Sequence, residues 1–343
     1  MDEHMKAWLF TTTTGGMEKN LYFTETATPP SKEGLSKDEV IVEVISAALN
    51  PVDYKLAEIF PTSLLIRTPA SPGVDFCGKI VAIPTANDTH RMGQVVFGRF
   101  KNNRQYGTLG QYVVADVDGI ATLPDGVDPD DAATVGTAGL TAYQTIVPHA
   151  RETQGARVFL NGGSGGCGTW GIQIAKAIGA HVTTSCSTAN IEFCKELGAD
   201  EVLDYTKGSI IQILKEKGEV FDVVVDNVGT PENLYEECHH FLKPDGHFFQ
   251  VGVSSIFSFG LSIAGRLLRP SFLGGGKRPY HPYLTQCNPE HLAEIGRWIT
   301  EGKVKPVIHQ TFEWEDTPKA YERLKTQRTK GKIVVHVTRN LRA

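Results

Sequence analysis

The spacing of hydrophobic positions changes along the chain. Before about residue 124 the apolar runs are short and alternate with polar residues. They are Val40–Val44 (VIVEV), Gly78–Ile83 (GKIVAI), Gln94–Phe97 and Gln111–Ala115 (QYVVA). Turn residues at Pro29-Pro30, Asn50-Pro51 and Pro124-Asp125-Gly126 separate them. This pattern predicts strands joined by turns. From Asp130 to Thr145 the chain is Ala-rich and helix-like, and beyond it two periods alternate. Strands are predicted at Arg157–Asn161, His181–Ser185, Glu201–Leu203, Phe221–Asp226 and His247–Val251. Helices are predicted at Thr169–Ile178, Ile191–Leu197, Ser209–Lys217 and Pro231–Leu242. Strand–helix alternation of this kind predicts right-handed βαβ units and a parallel sheet covered on both faces.

The tail loses that rhythm. After Gly274-Gly275-Gly276 come a short strand, a helix over Pro289–Glu301, the segment Gln310–Trp314, a helix over Thr317–Lys325 and a last strand, Lys332–Val337. The expected organisation is a β-rich domain over 1–124, a parallel-sheet domain over 125–287, and a return to the first domain over 288–343. A chain of 343 residues is long enough for two cores.

Composition narrows the function classes. The net charge of −5 gives no global field toward nucleic acid or anionic lipid. Arg266, Arg269, Lys277 and Arg278 read as solvated loop charges. The six cysteines, Cys77, Cys167, Cys186, Cys194, Cys238 and Cys287, form no Cys-x-x-Cys pair, and no secretory leader is evident. A reducing, cytoplasmic setting without disulfides is expected. Phe248 to Gly265 carries no charge, but Gln250 and its serines and glycines dilute it. It reads as a buried strand followed by a pocket-lining loop rather than a membrane span.

One motif carries chemistry. The strand Arg157–Asn161 runs through Gly162 into Gly163-Ser164-Gly165-Gly166-Cys167-Gly168 and then into a helix. The spacing is G-x-G-x-x-G. One glycine permits the tight turn, one lets backbone N–H groups approach a pyrophosphate, and one lets helix and strand pack closely. The helix N-terminus adds unpaired donors and a positive dipole end. In this strand–loop–helix context the motif reads as a dinucleotide site, the alternative being a structural turn.

An NAD site usually presents an acid about 20 residues beyond the glycines. Here the next strand ends Ser185-Cys186-Ser187-Thr188-Ala189-Asn190, with no acid before Glu192. Ser187 and Asn190 leave room for a 2′-phosphate and can donate to it; both also suit a helix N-cap. Lys195 and Tyr205 add charge and a further donor. The expected cofactor is NADPH. Asn227 and Val228 end one later strand, Val251 and Gly252 the next, and these are candidates for the nicotinamide side.

Several phrases resemble the medium-chain dehydrogenase/reductase superfamily: Asn50-Pro-Val-Asp-Tyr-Lys55, Pro72-Gly-Val-Asp-Phe-Cys-Gly78, Gly139-Leu-Thr-Ala-Tyr-Gln144 and the loop Asn161–Gly168. Leu197-Gly-Ala-Asp200, Asp204-Tyr205, Gly302–Phe312 and Lys330-Gly-Lys-Ile-Val-Val335 are similar to the reticulon-4-interacting-protein group among the zeta-crystallin-like quinone oxidoreductases. Fungal trans-acting enoyl reductases share the same frame. The resemblance implies an α/β protein with a GroES-like β-rich catalytic domain, a Rossmann doubly wound parallel sheet and a cleft between them. It further implies dinucleotide contacts from Ser164 to Cys167 and from Ser187, Asn190, Tyr205 and Lys332.

Where zinc-dependent relatives carry a Cys, this chain has the Asn50–Asp53 turn, and where they carry Gly-His-Glu it has Gly73-Val74-Asp75. No Cys lies between Thr85 and Tyr106, where a structural zinc lobe would be. A catalytic zinc needs three protein ligands and a structural one four, so no metal is expected. Hydride transfer from NADPH to a carbonyl-conjugated alkene or a quinone is then the expected chemistry. Lys55 is the first candidate for meeting the negative oxygen that develops, with Asn50, Tyr54 and Thr141 as further donors. A surface or cofactor-binding role for Lys55, a turn-forming role for Asn50 and a cleft-lining role for Thr141 stay open. So do three function classes: a quinone or enone reductase, an enoyl reductase of a polyketide-type pathway, and a non-catalytic NADPH-binding protein. The apolar residues from Phe248 to Leu268, with Phe272, suggest a greasy small-molecule substrate, and a homodimer is expected from the family.

Overall fold

The structure is a computed structural model and describes residues 3–59, 62–85, 87, 89–101, 105–252, 266 and 277–338. Residues 253–265, Leu268, Arg269, Phe272 and the glycine run 274–276, which enter the sequence argument above, lie outside the described residues.

In chain order the first elements are β1 (Met5–Leu9), β2 (Tyr22–Ala27), β3 (Glu39–Leu49), α1 (Pro51–Glu58), β4 (Asp75–Ala82), β5 (Val95–Arg99), β6 (Tyr112–Asp116) and β7 (Ile120–Thr122). Then come α2 (Pro129–Ala133), a π-helical turn over Val135–Gly139, and α3 (Leu140–Ala150). The alternating units follow: β8 (Arg157–Asn161), α4 (Gly166–Ala177), β9 (His181–Cys186), α5 (Ile191–Glu196), β10 (Glu201–Asp204), α6 (Ile210–Lys217), β11 (Phe221–Asp226), α7 (Leu234–Glu237), β12 (Leu242–Gln250) and β13 (Tyr280–Pro282). The chain closes with α8 (Pro289–Thr300), β14 (Ile308–Glu313), α9 (Thr317–Lys325) and β15 (Lys332–His336).

Two compact units result. The first comprises Met1–Leu140, Gln286–Gly302 and Pro306–Ala343; the second comprises Thr141–Thr285 and Lys303–Lys305. Residues 125–140, which composition groups with the parallel-sheet domain, belong to the first unit. The reason is visible at Gly136, where an added Cβ would stand 2.6 Å from the Gly98 carbonyl and 2.7 Å from Asp75, so the segment is pressed onto β4 and β5.

The first unit holds a sheet of order β14-β15-β3-β4-β5-β7, with β6 pairing β3, and a small β1–β2 sheet. β15 lies between β14, which it pairs in parallel, and β3, which it pairs antiparallel. Val40, Val42, Val44, Phe76, Ile80, Val96, Ile333 and Val335 form its core, with Tyr54 and Tyr321 packed in.

The second unit is a six-stranded sheet of order β10-β9-β8-β11-β12-β13. Every pairing in it is parallel. The near-continuous apolar strands follow from burial on both faces: in β11, Val223, Val224 and Val225 are 2% exposed or less. The order reverses between β8 and β11, which is the switch point where open α/β sheets bind ligands at their carboxyl ends. Among the described residues no helix is long and apolar enough to cross a membrane.

Three local expectations are corrected. The Asn50-Pro51 turn opens a helix, α1, because Pro suits the first helical position and the Asp53 carboxylate accepts from the Asn50 N–H at 2.7 Å. The helix expected over Pro231–Leu242 shrinks to α7 and a 3-10 turn at Cys238–His240. Asp130–Thr145 is two α-helices joined by the π-helical turn rather than one helix.

Candidate functional site

The glycine loop sits at the switch point of the second unit. β8 ends at Asn161, and α4 begins at Gly166 with Gly165 as its N-cap. Gly162 has φ +87°, a conformation that favours glycine. A Cβ on Gly163 would meet Thr184 Oγ1 at 2.2 Å, and one on Gly168 would meet the Gly162 carbonyl at 2.1 Å. Those two glycines serve close packing within the fold. Gly165 differs: the nearest protein atom to an added Cβ is 3.8 Å away. Space is left beside this backbone, next to the first N–H groups of α4, which no helical carbonyl can reach. Residues of this kind fit the pyrophosphate of a dinucleotide.

The tip of β9 follows beside it. Asn190 Nδ2 donates to Ser164 Oγ at 3.1 Å and to Ser187 Oγ at 3.3 Å, tying the glycine loop to the expected 2′-phosphate residues. Asn190 Oδ1 is buried with no partner, and so is Asn227 Oδ1 at the tip of β11. Both are buried acceptors whose hydrogen-bonding capacity the protein leaves unused. Lys195 is exposed and paired with Glu192 at 2.9 Å, so its charge is already met locally. Tyr205 is 56% exposed. A carboxylate does stand close by: Asp204, from the end of β10, accepts from Thr188 Oγ1 and Thr206 Oγ1. Those hydroxyls hold its pKa below the usual carboxylate range. Reading along β9 alone could not reveal it, because it belongs to the neighbouring strand.

Among the strand tips expected on the nicotinamide side, Asp226 makes the most hydrogen bonds. It is 2% exposed and accepts from Asn161 Nδ2, the Val228 and Gly229 N–H groups and Gln250 Nε2, at 2.7 to 3.0 Å. Burial raises its pKa against the lowering by these donors. The Val251 and Gly252 N–H groups both donate to the Asp226 carbonyl at 2.9 Å. A Cβ on Gly252 would meet the Asn227 carbonyl at 2.2 Å, so the two strand tips touch backbone to backbone. Cys167 is a half-buried thiol at the start of α4.

The first unit contains the Asn50–Lys55 segment. Asn50 Nδ2 donates to Asp75 Oδ2 at 2.8 Å, and Asn50 Oδ1 accepts from Lys332 Nζ at 2.5 Å. Lys332 is 4% exposed and also donates to the Leu49 carbonyl at 3.0 Å and to Asp75 at 3.5 Å. Thr137 Oγ1 donates to the other Asp75 oxygen at 2.6 Å. Asn50 and Lys332, assigned from sequence to catalysis and to cofactor contact, thus meet each other, and the Lys332 ammonium is enclosed by three acceptors. Asp53 is buried beside them, and burial, reinforced by the Asp75 charge, pushes its pKa up to about 8. Its Oδ1 has no partner, nor has the buried Tyr321 hydroxyl. Tyr54 is a core residue, 6% exposed, with the Lys325 ammonium 5.2 Å from its ring centre. Lys55 is half-buried, and burial lowers its pKa.

Thr141 belongs to the second unit, at the start of α3, and its hydroxyl shares a 2.6 Å hydrogen bond with that of Thr285. Among the described residues no group of three His, Cys, Asp or Glu side chains is placed to hold a metal ion.

Residues 36–125 match the alcohol dehydrogenase GroES-like domain, and residues 197–335 match the zinc-binding dehydrogenase family. The trans-enoyl reductase pgmF of Aspergillus terreus is 44% identical, covering 97% of this chain and 96% of its own. The mitochondrial NAD(P)H oxidoreductase RTN4IP1 of Mus musculus is 29% identical over 88% of this chain and 82% of its own. The quinone oxidoreductase of Coxiella burnetii superposes with a TM-score of 0.83 at 27% identity, covering 98% of this chain and all of that one. The glycine loop at the switch point, the GroES-like sheet completed from the chain's far end and this full-length likeness agree: the chain belongs to the medium-chain dehydrogenase/reductase family and is an oxidoreductase.

Proposed function

We propose that this protein uses NADPH to reduce a carbon–carbon double bond conjugated with a carbonyl, quinones being the cyclic case of the same acceptor. The observation that carries the reading is the α4 cradle, open at Gly165, continuing into hydroxyl and amide groups at Ser187 and Asn190. On the acceptor side, support comes from the named activities of the enoyl reductase and quinone oxidoreductase relatives.

NADPH, when bound, supplies the hydride. The chain's own residues supply position and charge. The α4 N-terminus and Ser164 hold the pyrophosphate, and Ser187, Asn190 and Tyr205 face the 2′-phosphate. Asn227 Oδ1 accepts from the carboxamide side. Lys55 meets the oxygen that becomes negative as hydride adds to the distant carbon, and its lowered pKa suits it to give up a proton. Asn50 has its amide engaged on both sides, so it orients Asp75 and Lys332 rather than a substrate. Thr141 is kept as a further donor on the strength of its sequence context, and its hydroxyl already shares a hydrogen bond with Thr285. The 44% identical trans-enoyl reductase favours an enoyl substrate over a free quinone. A cytoplasmic location and a homodimer belong to the same proposal, checked by fractionation and sedimentation.

The experiment is a panel: oxidation of NADPH and of NADH against enoyl thioesters, 2-alkenals and quinones. NADPH turnover with an activated alkene is expected. Tight NADPH binding with no turnover of any acceptor would leave a binding protein, and preference for NADH would overturn the cofactor assignment.

A further inference from the structure

Four polar side chains lie side by side across the carboxyl edge of the second unit's sheet, one on each of four neighbouring strands. They are Ser185 on β9, Asn161 on β8, Asp226 on β11 and Gln250 on β12, and none is more than 5% exposed. Ser185 Oγ donates to Asn161 Oδ1 at 2.6 Å, and Asn161 Nδ2 donates to Asp226 Oδ1 at 2.8 Å. From the other side Gln250 Nε2 donates to Asp226 Oδ2 at 2.7 Å. The direction of every bond is set. Asn161 must turn its oxygen to the serine, so its amide nitrogen faces the carboxylate, and Asp226 is the acceptor on which both arms end.

Each member also holds one loop. Ser185 Oγ accepts from the Gly162 N–H at 3.0 Å, Asn161 Nδ2 donates to the Thr230 carbonyl at 2.8 Å, and Gln250 Nε2 donates to the Gly252 carbonyl at 2.7 Å. Asp226 Oδ1 takes the Val228 and Gly229 N–H groups. Buried polar chains are costly unless fully partnered. Apolar side chains would fill these four positions at no such cost. What the chain adds is a continuous connection between the glycine loop on one side of the switch point and the β11 and β12 tips on the other.

We propose that Asp226 is a positioning residue: through Asn161 and Ser185 it sets the glycine loop, and through Gln250 it sets the Gly252 turn, so that the two halves of a dinucleotide are held in one register. The proposal rests on the NADPH reading above and assigns to named residues how that site is kept in shape.

The test compares two ligands by calorimetry, NADPH and 2′,5′-ADP, the latter carrying only the adenosine half. Gln250→Met keeps the side-chain length and breaks one arm alone. It is expected to weaken NADPH about tenfold while leaving 2′,5′-ADP within about twofold, the scale of one lost hydrogen bond to a charged group. Ser185→Ala breaks the other arm and is expected to weaken both ligands. Combined with Gln250→Met it should deviate from additivity, and in an Asp226→Asn background the two changes should become additive. Equal weakening of both ligands by Gln250→Met, no weakening of either, or additivity in the native background would overturn the proposal. If Asp226→Asn does not fold, the Gln250→Met split still decides. Failure of the unaltered protein to bind NADPH would remove the underlying cofactor reading, a result distinct from any of these.

Discussion

Replacing Asp53 by Asn tests how burial sets charge in the Asn50–Lys332 cluster. Asp53 is buried, its Oδ2 accepts from the Asn50 N–H, and its Oδ1 has no partner. Burial and the Asp75 charge lift its pKa from 3.8 to about 8, so the carboxyl is protonated at neutral pH. The raised folded pKa fixes the sign. Between these two values the folded chain binds a proton that the unfolded chain has lost, so rising pH destabilises the fold. One pKa unit corresponds to about 1.4 kcal/mol. Native stability should therefore fall by about 1.4 kcal/mol per pH unit on this group's account, or about 2.7 kcal/mol from pH 5 to pH 7. Asparagine has the shape of the protonated acid and does not titrate. The Asp53→Asn protein should match the native one near pH 4, gain on it steadily to about pH 8, and then hold a constant lead. Urea unfolding followed by tryptophan fluorescence reads the right unit, since Trp8, Trp298 and Trp314 lie in it. Subtracting the two proteins' curves at each pH cancels every other titrating group. A difference that stays flat from pH 5 to pH 7 would refute the reasoning, as would a constant loss of stability in the variant.

Gly165→Ala should fold with an unchanged melting temperature, because its φ of −80° suits any residue and no protein atom is crowded, yet bind NADPH at least about tenfold more weakly by calorimetry. Gly168→Ala, whose Cβ would lie 2.1 Å from a carbonyl, should lower the melting temperature as well. Lys55→Met should reduce kcat by about a hundredfold while leaving the NADPH Kd unaltered, and native kcat should decline as pH rises through the lysine's lowered pKa. His149, packed against His247, His281 and Phe249, has its pKa lowered to about 4, by burial first and then by those two imidazoles. Stability on its account is present above pH 6.5 and lost as pH falls toward 4, so His149→Phe should melt with less acid sensitivity across that window.

What the sequence made legible was whatever is local. β11 reads directly from Phe221–Asp226, and the glycine loop was placed between the right strand and helix because its spacing is contiguous. α1 was missed because Asn50-Pro51 has the same composition whether it makes a turn or starts a helix. Pro231–Leu242 has a helical period, but the chain gives it only one short turn of α-helix before 3-10 geometry takes over. The site's supporting side chains were illegible for another reason. Asn161 and Asp226 are 65 residues apart, and Lys332 is 282 residues from Asn50. No periodicity joins such residues; only strand order does. Asp226 did leave a trace, a carboxylate ending an otherwise apolar strand, and the sequence marked that strand end without saying what the carboxylate holds.

The position of β15 bears on how the chain acquires its shape during synthesis. Most of the second unit is one continuous stretch, Thr141–Thr285, and nearly all its contacts can form once that stretch has left the ribosome. The first unit must wait. β3 emerges early and β6 pairs its Glu39–Glu43 stretch soon after, but Ser46–Leu49 takes β15 as its partner and stays bare there until Lys332–His336 is made. An open strand edge of this kind is a site for mispairing with other nascent chains, and a chaperone that shields Ser46–Leu49 until Lys332–His336 arrives would raise the yield of folded protein more than one acting on the second unit.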